Sequence, residues 1–280
     1  MAKKQSAWIE FLKRIENARN ELNCSQGAEE EAWFRGHIRS DFALLPSLFR
    51  HFEKPNGKNW DDVWATESDL FWEFSARARE LHGTTDSDWD CLFAMQHHGT
   101  PTRLLDWTEV LGVAVYFATL GVDETQTKDK DGKSLPPPCV WVLNPNQINL
   151  ASDWETYDLI SPTYLGWDDS EETSYSYGDI LLEDGIGWKH PVAIYPRQKT
   201  ARIHAQQGWF TIHGNEFKPL ETIKNSDRFL RKIELPFEAL PEARDFMNHA
   251  GLNHYSLFPD LDNLSKHLRQ KYRLEPNQVR

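Results

Sequence analysis

The chain is organised around one stretch of sequence, Met95-Gln96-His97-His98-Gly99-Thr100-Pro101-Thr102-Arg103-Leu104-Leu105-Asp106-Trp107-Thr108, which is largely polar yet lies between two apolar segments. Ser87 is placed to cap a helix that runs to His98, and Gly99 suits the position just past its end. Thr108 is placed to cap a further helix through Leu120. The residues between these helices are therefore interpreted as a connector fixed at both ends, which favours a preorganised site.

Upstream of this stretch, apolar stripes of helical period predict helices over residues 6–22 and 61–81. Glu31 to His37 reads as a short strand that contains Phe34-Arg35-Gly36, and Gly36 is expected to let the chain turn after Arg35. Residues 44–48 are expected to be extended or turning.

Downstream, strands are predicted over 139–143, 192–195 and 233–235, and residues 202–213 read as two strands or a strand and turn around Gly208. Pro241 suits the first turn of a helix ending at Gly251, and Asp260 is placed to cap a last helix. Residues 255–258 read as a strand, and residues 151–190 receive no assignment. Short strands interleaved with helices predict an α+β fold, with mostly antiparallel short strands and flanking helices.

Composition disfavours several classes of protein. The 280 residues include 43 acidic and 31 basic side chains, a net charge of −12, so nucleic-acid backbones and anionic membranes are repelled at long range. The three cysteines form no CxxC pair, so neither a disulfide framework nor a cysteine zinc site is indicated. The first residues lack an apolar signal core, and the longest apolar stretch, 110–122, is too short to span a bilayer. A cytoplasmic protein is expected.

Several side chains are candidates for chemistry. Arg103 offers a planar fork for a carboxylate or phosphate, and a buried pair with Asp106 is an equally good interpretation. His97 and His98 are adjacent and lack the spacing of helical zinc ligands, so no metal is expected, and His97 is kept as a proton donor or hydrogen bonder. On a strand, Arg202, His204 and Gln206 would share one face, and this face would either line a pocket or lie against water.

Four blocks resemble the FRG domain family: Trp33–Gly36, His97–Thr108, Arg202–Gly214 and Tyr255–Leu264 (YSLFPDLDNL). The resemblance spans residues 30–270. It implies an N-terminal helix over 1–29, an FRG domain over 30–270 with a polar insertion near 123–138, and a C-terminal tail over 271–280.

The order of these blocks also resembles, more distantly, the ADP-ribosyltransferase plan of an Arg or His strand, a Ser/Thr motif and a Glu strand. The resemblance implies that Arg35 holds the diphosphate or ribose of NAD, with Thr100 and Thr102 supporting the site. Gln206 or Gln207 would stand in the place of the catalytic Glu. Because an amide carries no charge, a carboxylate such as that of Asp106 or Glu183 would have to replace it.

The resemblance implies an NAD-handling enzyme, a transferase with a macromolecular acceptor or a glycohydrolase. A non-catalytic module that binds a nucleotide or phosphorylated small molecule is the second interpretation. A nucleic-acid processing protein, which the charge disfavours, is the third, and a glycosidase lacks any distinctive carboxylate pair. The expected catalytic residues are Arg35, His97, Arg103, Asp106 and Gln207, and the expected nucleotide contacts are Arg35, Gly36, Thr100, Thr102, Arg103, Arg202 and Gln206.

Overall fold

The computed structural model describes residues 6–24, 32–52, 60–82, 87–151, 163–164, 176–182, 189–196 and 205–274. Within these ranges seven strands form one sheet. The strands are β1 (Trp33–His37), β2 (Leu104–Thr108), β3 (Cys139–Leu143), β4 (Thr163–Tyr164), β5 (Val192–Tyr195), β6 (Gly208–Ile212) and β7 (Leu230–Glu234).

Ten α-helices surround the sheet in the part of the chain that is described. They are α1 (Ala7–Glu21), α2 (Ser47–Arg50), α3 (Trp60–His82), α4 (Asp88–His97), α5 (Leu111–Thr119), α6 (Pro145–Ala151), α7 (Tyr177–Leu182), α8 (Leu240–His249), α9 (His254–Leu257) and α10 (Leu261–Lys271). Short 3-10 turns lie at Leu220–Thr222, Ser226–Arg228 and Phe237–Ala239.

The strand order across the sheet is β4-β5-β6-β2-β1-β3-β7. Every neighbouring pair is antiparallel except β4 with β5. The α+β fold with mostly antiparallel short strands is therefore confirmed.

Leu104–Thr108, at the end of the stretch that begins at Met95, form a strand in the middle of the sheet. The interpretation of these residues as part of a connector is therefore wrong. Strand β2 lies between β6 and β1, and four of its five side chains are buried. Residues buried on both faces leave no alternating pattern in the sequence. Thr108 closes this strand instead of capping a helix: its hydroxyl accepts from the Val110 N–H at 3.1 Å, and α5 begins only at Leu111.

Two further predictions need correction. Residues 254–257 form helix α9 rather than a strand, because Asn253 and Ser256 make a reciprocal capping box that starts a helical turn. In the third block, β6 begins only at Gly208, so Gln206 is not on a strand. Arg202 and His204 lie outside the described residues.

The two faces of the sheet differ in what covers them. On one face, which we call the helix face, Phe34, Val140 and Val142 pack against α1, α5 and α8, while α3, α4 and α7 cover its other half. Gly36 belongs to this face. A Cβ on Gly36 would lie 1.9 Å from the Ala114 carbonyl oxygen of α5, so the glycine permits helix packing. The expected turn after Arg35 is wrong, because Gly36 lies within β1 and pairs with Val140.

The opposite face, which we call the tryptophan face, carries four buried indoles: Trp33, Trp107, Trp141 and Trp209. The rings of Trp33 and Trp209 stack with centroids 6.2 Å apart. The Trp107 indole N–H donates to the Thr211 hydroxyl at 3.0 Å, whereas the other three indole N–H groups have no hydrogen-bond partner. Arg35 and His37 alternate with Trp33 along β1, so they point to this face.

None of the helices in the described ranges combines the length and apolar character needed to cross a membrane.

Candidate functional site

Three of the sequence blocks meet in the middle of the sheet. The Phe34-Arg35-Gly36 block forms β1, the long central stretch ends in β2, and the block ending at Gly214 contains β6, so these strands are neighbours. β1 pairs with β3 along all five of its residues, but with β2 only at Phe34 and Thr108. Beyond that pair the described ladder between β1 and β2 stops, and we call this break in the ladder, at the level of Arg35, the opening between the two strands.

The Arg35 side chain crosses this opening. Its Nη1 donates to the Asp106 carbonyl oxygen at 2.7 Å and lies 3.4 Å from the Asp106 carboxylate, while its Nε donates to His37 at 3.2 Å. The side chain remains 21% exposed, and that of Asp106 51% exposed. Arg35 is therefore both held in place and accessible.

A hydrogen-bond chain supports Asp106 from behind. The Gln96 amide of α4 donates to the Asp106 carboxylate at 2.8 Å, and the buried Thr102 hydroxyl donates to the Gln96 oxygen. Thr102 thus supports the site indirectly. Gln96 was not predicted, although it lies on the same helix turn as His97.

Cations gather around His37. The pKa of His37 falls from its usual range to about 3, because burial disfavours its charged form and because Arg35, Arg50 and Lys232 lie close enough to repel a proton. The His37 Nδ1 lies 3.2 Å from the Phe42 carbonyl oxygen. Since a carbonyl can only accept, Nδ1 carries the proton and Nε2 is left to accept from Arg35.

Arg103 lies in a separate, fully buried ion pair. Its guanidinium makes two hydrogen bonds to the Glu67 carboxylate and one to the His213 carbonyl oxygen, and the Tyr177 hydroxyl donates to Glu67 at 2.6 Å. The expected pair between Arg103 and Asp106 is therefore wrong, because Asp106 pairs with Arg35. Arg103 is therefore not one of the residues that surround Arg35. Glu67 was missed, although it lies on the buried stripe of α3 with Val63 and Phe71.

His213 lies beside this ion pair and has no exposed surface. Both of its ring nitrogens lack a hydrogen-bond partner. Burial, and then the charges of Arg103 and Arg35, lower the pKa of His213 to about 3. The ring is therefore neutral near pH 7 and packs edge-on against Phe49.

Two expected site residues lie at the end of α4. His97 is its last residue, and its ring meets the His98 ring edge-on at 4.8 Å. The Thr100 N–H donates to the Met95 carbonyl oxygen at 2.9 Å, which closes the helix end at Gly99. Their contact with a ligand stays a prediction.

The two glutamines connect β2, β6 and α9. The Gln206 side-chain amide donates to the Leu257 carbonyl oxygen at 3.0 Å, and the Gln206 backbone carbonyl accepts from the Thr108 hydroxyl at 2.6 Å. Gln207 has a φ of 42°, a left-handed conformation that is uncommon outside glycine. Gln206 therefore holds elements together, and Gln207 forms the tight entry into β6.

Across the described residues, no group of three or more His, Cys, Asp or Glu side chains comes together to hold a metal ion. Cys24, Cys91 and Cys139 are buried and form no disulfide. Burial raises the pKa of Cys139 to about 12, so this thiol is a poor nucleophile.

The fold and this opening define an α+β protein with an arginine-centred polar site between β1 and β2. The family model of the FRG domain matches residues 30–128, which include β1, β2 and α5. An FRG domain is therefore present over residues 30–128, and the resemblance to that family is confirmed over these residues; the blocks at 202–214 and 255–264 lie beyond the match. No curated protein and no solved structure matches the chain.

Proposed function

We propose that the opening between β1 and β2 binds a nucleotide diphosphate, with NAD and ADP-ribose as the leading candidates. The observation that carries this proposal is the Arg35 guanidinium, which crosses the opening, is held by Asp106 and remains partly exposed. A guanidinium fixed in this way is suited to bind a phosphate through two parallel hydrogen bonds.

The surrounding charges support an anionic ligand. Arg50 ends α2 with an exposed side chain, and Lys232 lies exposed on β7, so two further cations join Arg35 around His37. This is a local excess of positive charge on a chain whose net charge is −12. A diphosphate carries enough negative charge to interact with more than one of these cations.

The polar groups next to Arg35 are able to bind the ribose of such a nucleotide. The Asp106 carboxylate is half exposed and accepts from Gln96 on its other side, so it can still accept from a sugar hydroxyl. Asp106 is also the carboxylate next to Arg35 that could stabilise a positive charge developing on the ribose during cleavage of the nicotinamide bond. An NAD glycohydrolase or ADP-ribosyltransferase would use it in this way.

One observation favours a binding module without turnover. In the ADP-ribosyltransferase plan Gln206 or Gln207 takes the place of a catalytic Glu, but the Gln206 amide is already engaged by the Leu257 carbonyl. Neither amide can act as a base at neutral pH. Binding is therefore the first part of the proposal, and turnover through Asp106 is the second.

The test is a calorimetric titration of NAD and ADP-ribose into the wild type and into Arg35→Ala and Arg50→Ala variants. Losing a charge-assisted contact should weaken binding roughly tenfold or more for Arg35→Ala, and less for the exposed Arg50. Arg77→Ala is the control, because Arg77 lies exposed on α3 in an ion pair with Glu73 and is not among the cations around His37.

Nicotinamide release is followed in the same samples. Release by the wild type that stops in an Asp106→Asn variant supports the enzyme, while saturable binding without release supports the module. A wild type that binds neither NAD nor ADP-ribose would exclude both versions of the proposal.

A further inference from the structure

A second cleft lies away from Arg35, between the end of α5 and the C-terminal helices. It has a volume of about 490 Å³ and is walled by residues of α5, α8, α9 and α10. That volume lies within the range of small-molecule sites.

The side chains that line this cleft are basic or neutral. Arg244, Lys266, His254 and His267 face it together with tyrosine, asparagine and threonine side chains, and no carboxylate is among the lining residues. In a chain with 43 acidic residues against 31 basic ones, a cleft lined by basic side chains and no carboxylate is a local site that favours an anion over a cation.

The arginine and the lysine that line this cleft differ in how available their charges are to a ligand. The Arg244 guanidinium binds the Glu124 carboxylate and the Val122 carbonyl oxygen, so it forms a fixed and largely neutralised wall. Lys266 lies exposed on α10. It lies close enough to Asp260 in the helix cap to lower the pKa of that carboxyl group, which also accepts from the Asn263 backbone and side-chain N–H groups at 2.7 Å each. Because Lys266 is exposed whereas Arg244 is held by Glu124 and Val122, Lys266 is the more accessible of the two cations.

The imidazoles are held in place. The His254 Nδ1 lies 3.2 Å from the Tyr116 hydroxyl, and the His267 ring stacks on Tyr255 with centroids 5.8 Å apart. The capping box of Asn253 and Ser256 fixes the start of α9, which carries His254. The wall formed by α9 is therefore fixed before binding, which lowers the entropy cost of taking a ligand.

We infer that this cleft binds a small phosphorylated molecule of about monosaccharide size. A phosphoryl group has three acceptor oxygens, which matches donors that reach the cleft from different helices. The stacked rings of Tyr255 and His267 provide a flat wall for the body of the ligand. This site is independent of the nucleotide site proposed at Arg35.

The test uses glucose 6-phosphate, inorganic phosphate, glucose and citrate as probes, titrated calorimetrically into the full chain. Glucose 6-phosphate should bind saturably, inorganic phosphate more weakly, and glucose and citrate without saturation. Lys266→Ala should weaken glucose 6-phosphate binding about tenfold or more, the effect expected for one charge-assisted contact. Lys271→Ala, on the same helix but outside the cleft, should leave the affinity unchanged.

Asn248→Trp is a second variant that occupies the cleft from an exposed position without removing a charge. It should abolish binding even if Lys266 contributes little. Unchanged affinity in both cleft variants would overturn the inference, and so would citrate binding as tightly as glucose 6-phosphate. Binding that disappears in Arg35→Ala instead would place the phosphate at the first site, whereas failure of NAD binding alone would leave this inference standing.

Discussion

The backbone of α5 lies directly against Gly36, and no side chain fits between them. We expect Gly36→Ala to destabilise the fold by about 1–3 kcal/mol, because the new methyl group meets the Ala114 carbonyl and the Ala118 N–H, which are rigid backbone. Urea unfolding measures the change. Gly112→Ala is the matched control: its methyl group meets only the flexible end of Leu252, so a smaller loss or a gain is expected, and an equal loss would contradict the packing role of Gly36.

The buried pair of Arg103 and Glu67 should be costly to break from either side. Arg103→Ala or Glu67→Ala leaves one charge buried without its partner, so we expect each to lower the free energy of unfolding by about 3–5 kcal/mol. The exposed pair of Arg77 and Glu73 provides the comparison, with Arg77→Ala expected to cost at most about 1 kcal/mol. Similar losses for Arg103→Ala and Arg77→Ala in chemical denaturation would disprove a structural role for the buried pair.

At the scale of elements, α10 should be the least stable helix of the described fold. Leu261 and Leu268 on this helix are 81% and 42% exposed, so much of its apolar side is not packed. Local opening costs little free energy where few apolar contacts are lost. Native-state hydrogen exchange should therefore show the α10 amides exchanging long before those of β1 and β3. Equal protection would mean that α10 packs more firmly than these exposures indicate.

The elements also show what the sequence allowed us to predict. Helices α1 and α3 are predictable because their apolar residues repeat with helical period, and α4 because Ser87 and Gly99 suit its two ends. Strands β3 and β5 are predictable because short apolar runs end at turn residues. Strand β2 was missed because it is buried on both faces. The sequence predicts a strand in place of α9 because Tyr255 and Phe258 favour strands, whereas the capping box that starts the helix depends on side-chain geometry.

The candidate site was only partly predictable for a related reason. Arg35, Thr102 and Asp106 stood out as polar residues inside distinctive blocks, and the structure brings them into one hydrogen-bond network. Their partners depend on tertiary contacts between distant segments. Nothing local pairs Arg103 with Glu67 or places Arg50 near His37.

For the whole molecule, we expect stability to fall as the pH is lowered from 6.5 towards 3. His213 is neutral in the folded state down to about pH 3 but is protonated below about pH 6.5 when unfolded, so acid favours unfolding. The loss due to His213 should reach about 2 kcal/mol at pH 5. His37 adds a contribution of the same sign.

The measurement is urea unfolding of the wild type and of His213→Leu between pH 5 and pH 7. His213→Leu should lower stability at pH 7 yet show a flatter dependence on pH, because the leucine takes up no proton on unfolding. Ile212→Val, a buried substitution that changes no titratable group, should keep the slope of the wild type. A slope that is the same in His213→Leu would show that His213 does not titrate between the folded and unfolded states.

The tryptophan face gives the protein an intrinsic optical signal. Trp33, Trp141 and Trp209 are buried with no hydrogen bond at the indole nitrogen, so their fluorescence should be blue-shifted from that of indole in water. Arg35 pairs with Trp141 across β1 and β3. An adenine or nicotinamide ring bound beside Arg35 should therefore quench emission, and a Trp141→Phe variant should lose part of that response. A titration that leaves the emission of the wild type unchanged would place the bound ring away from this face.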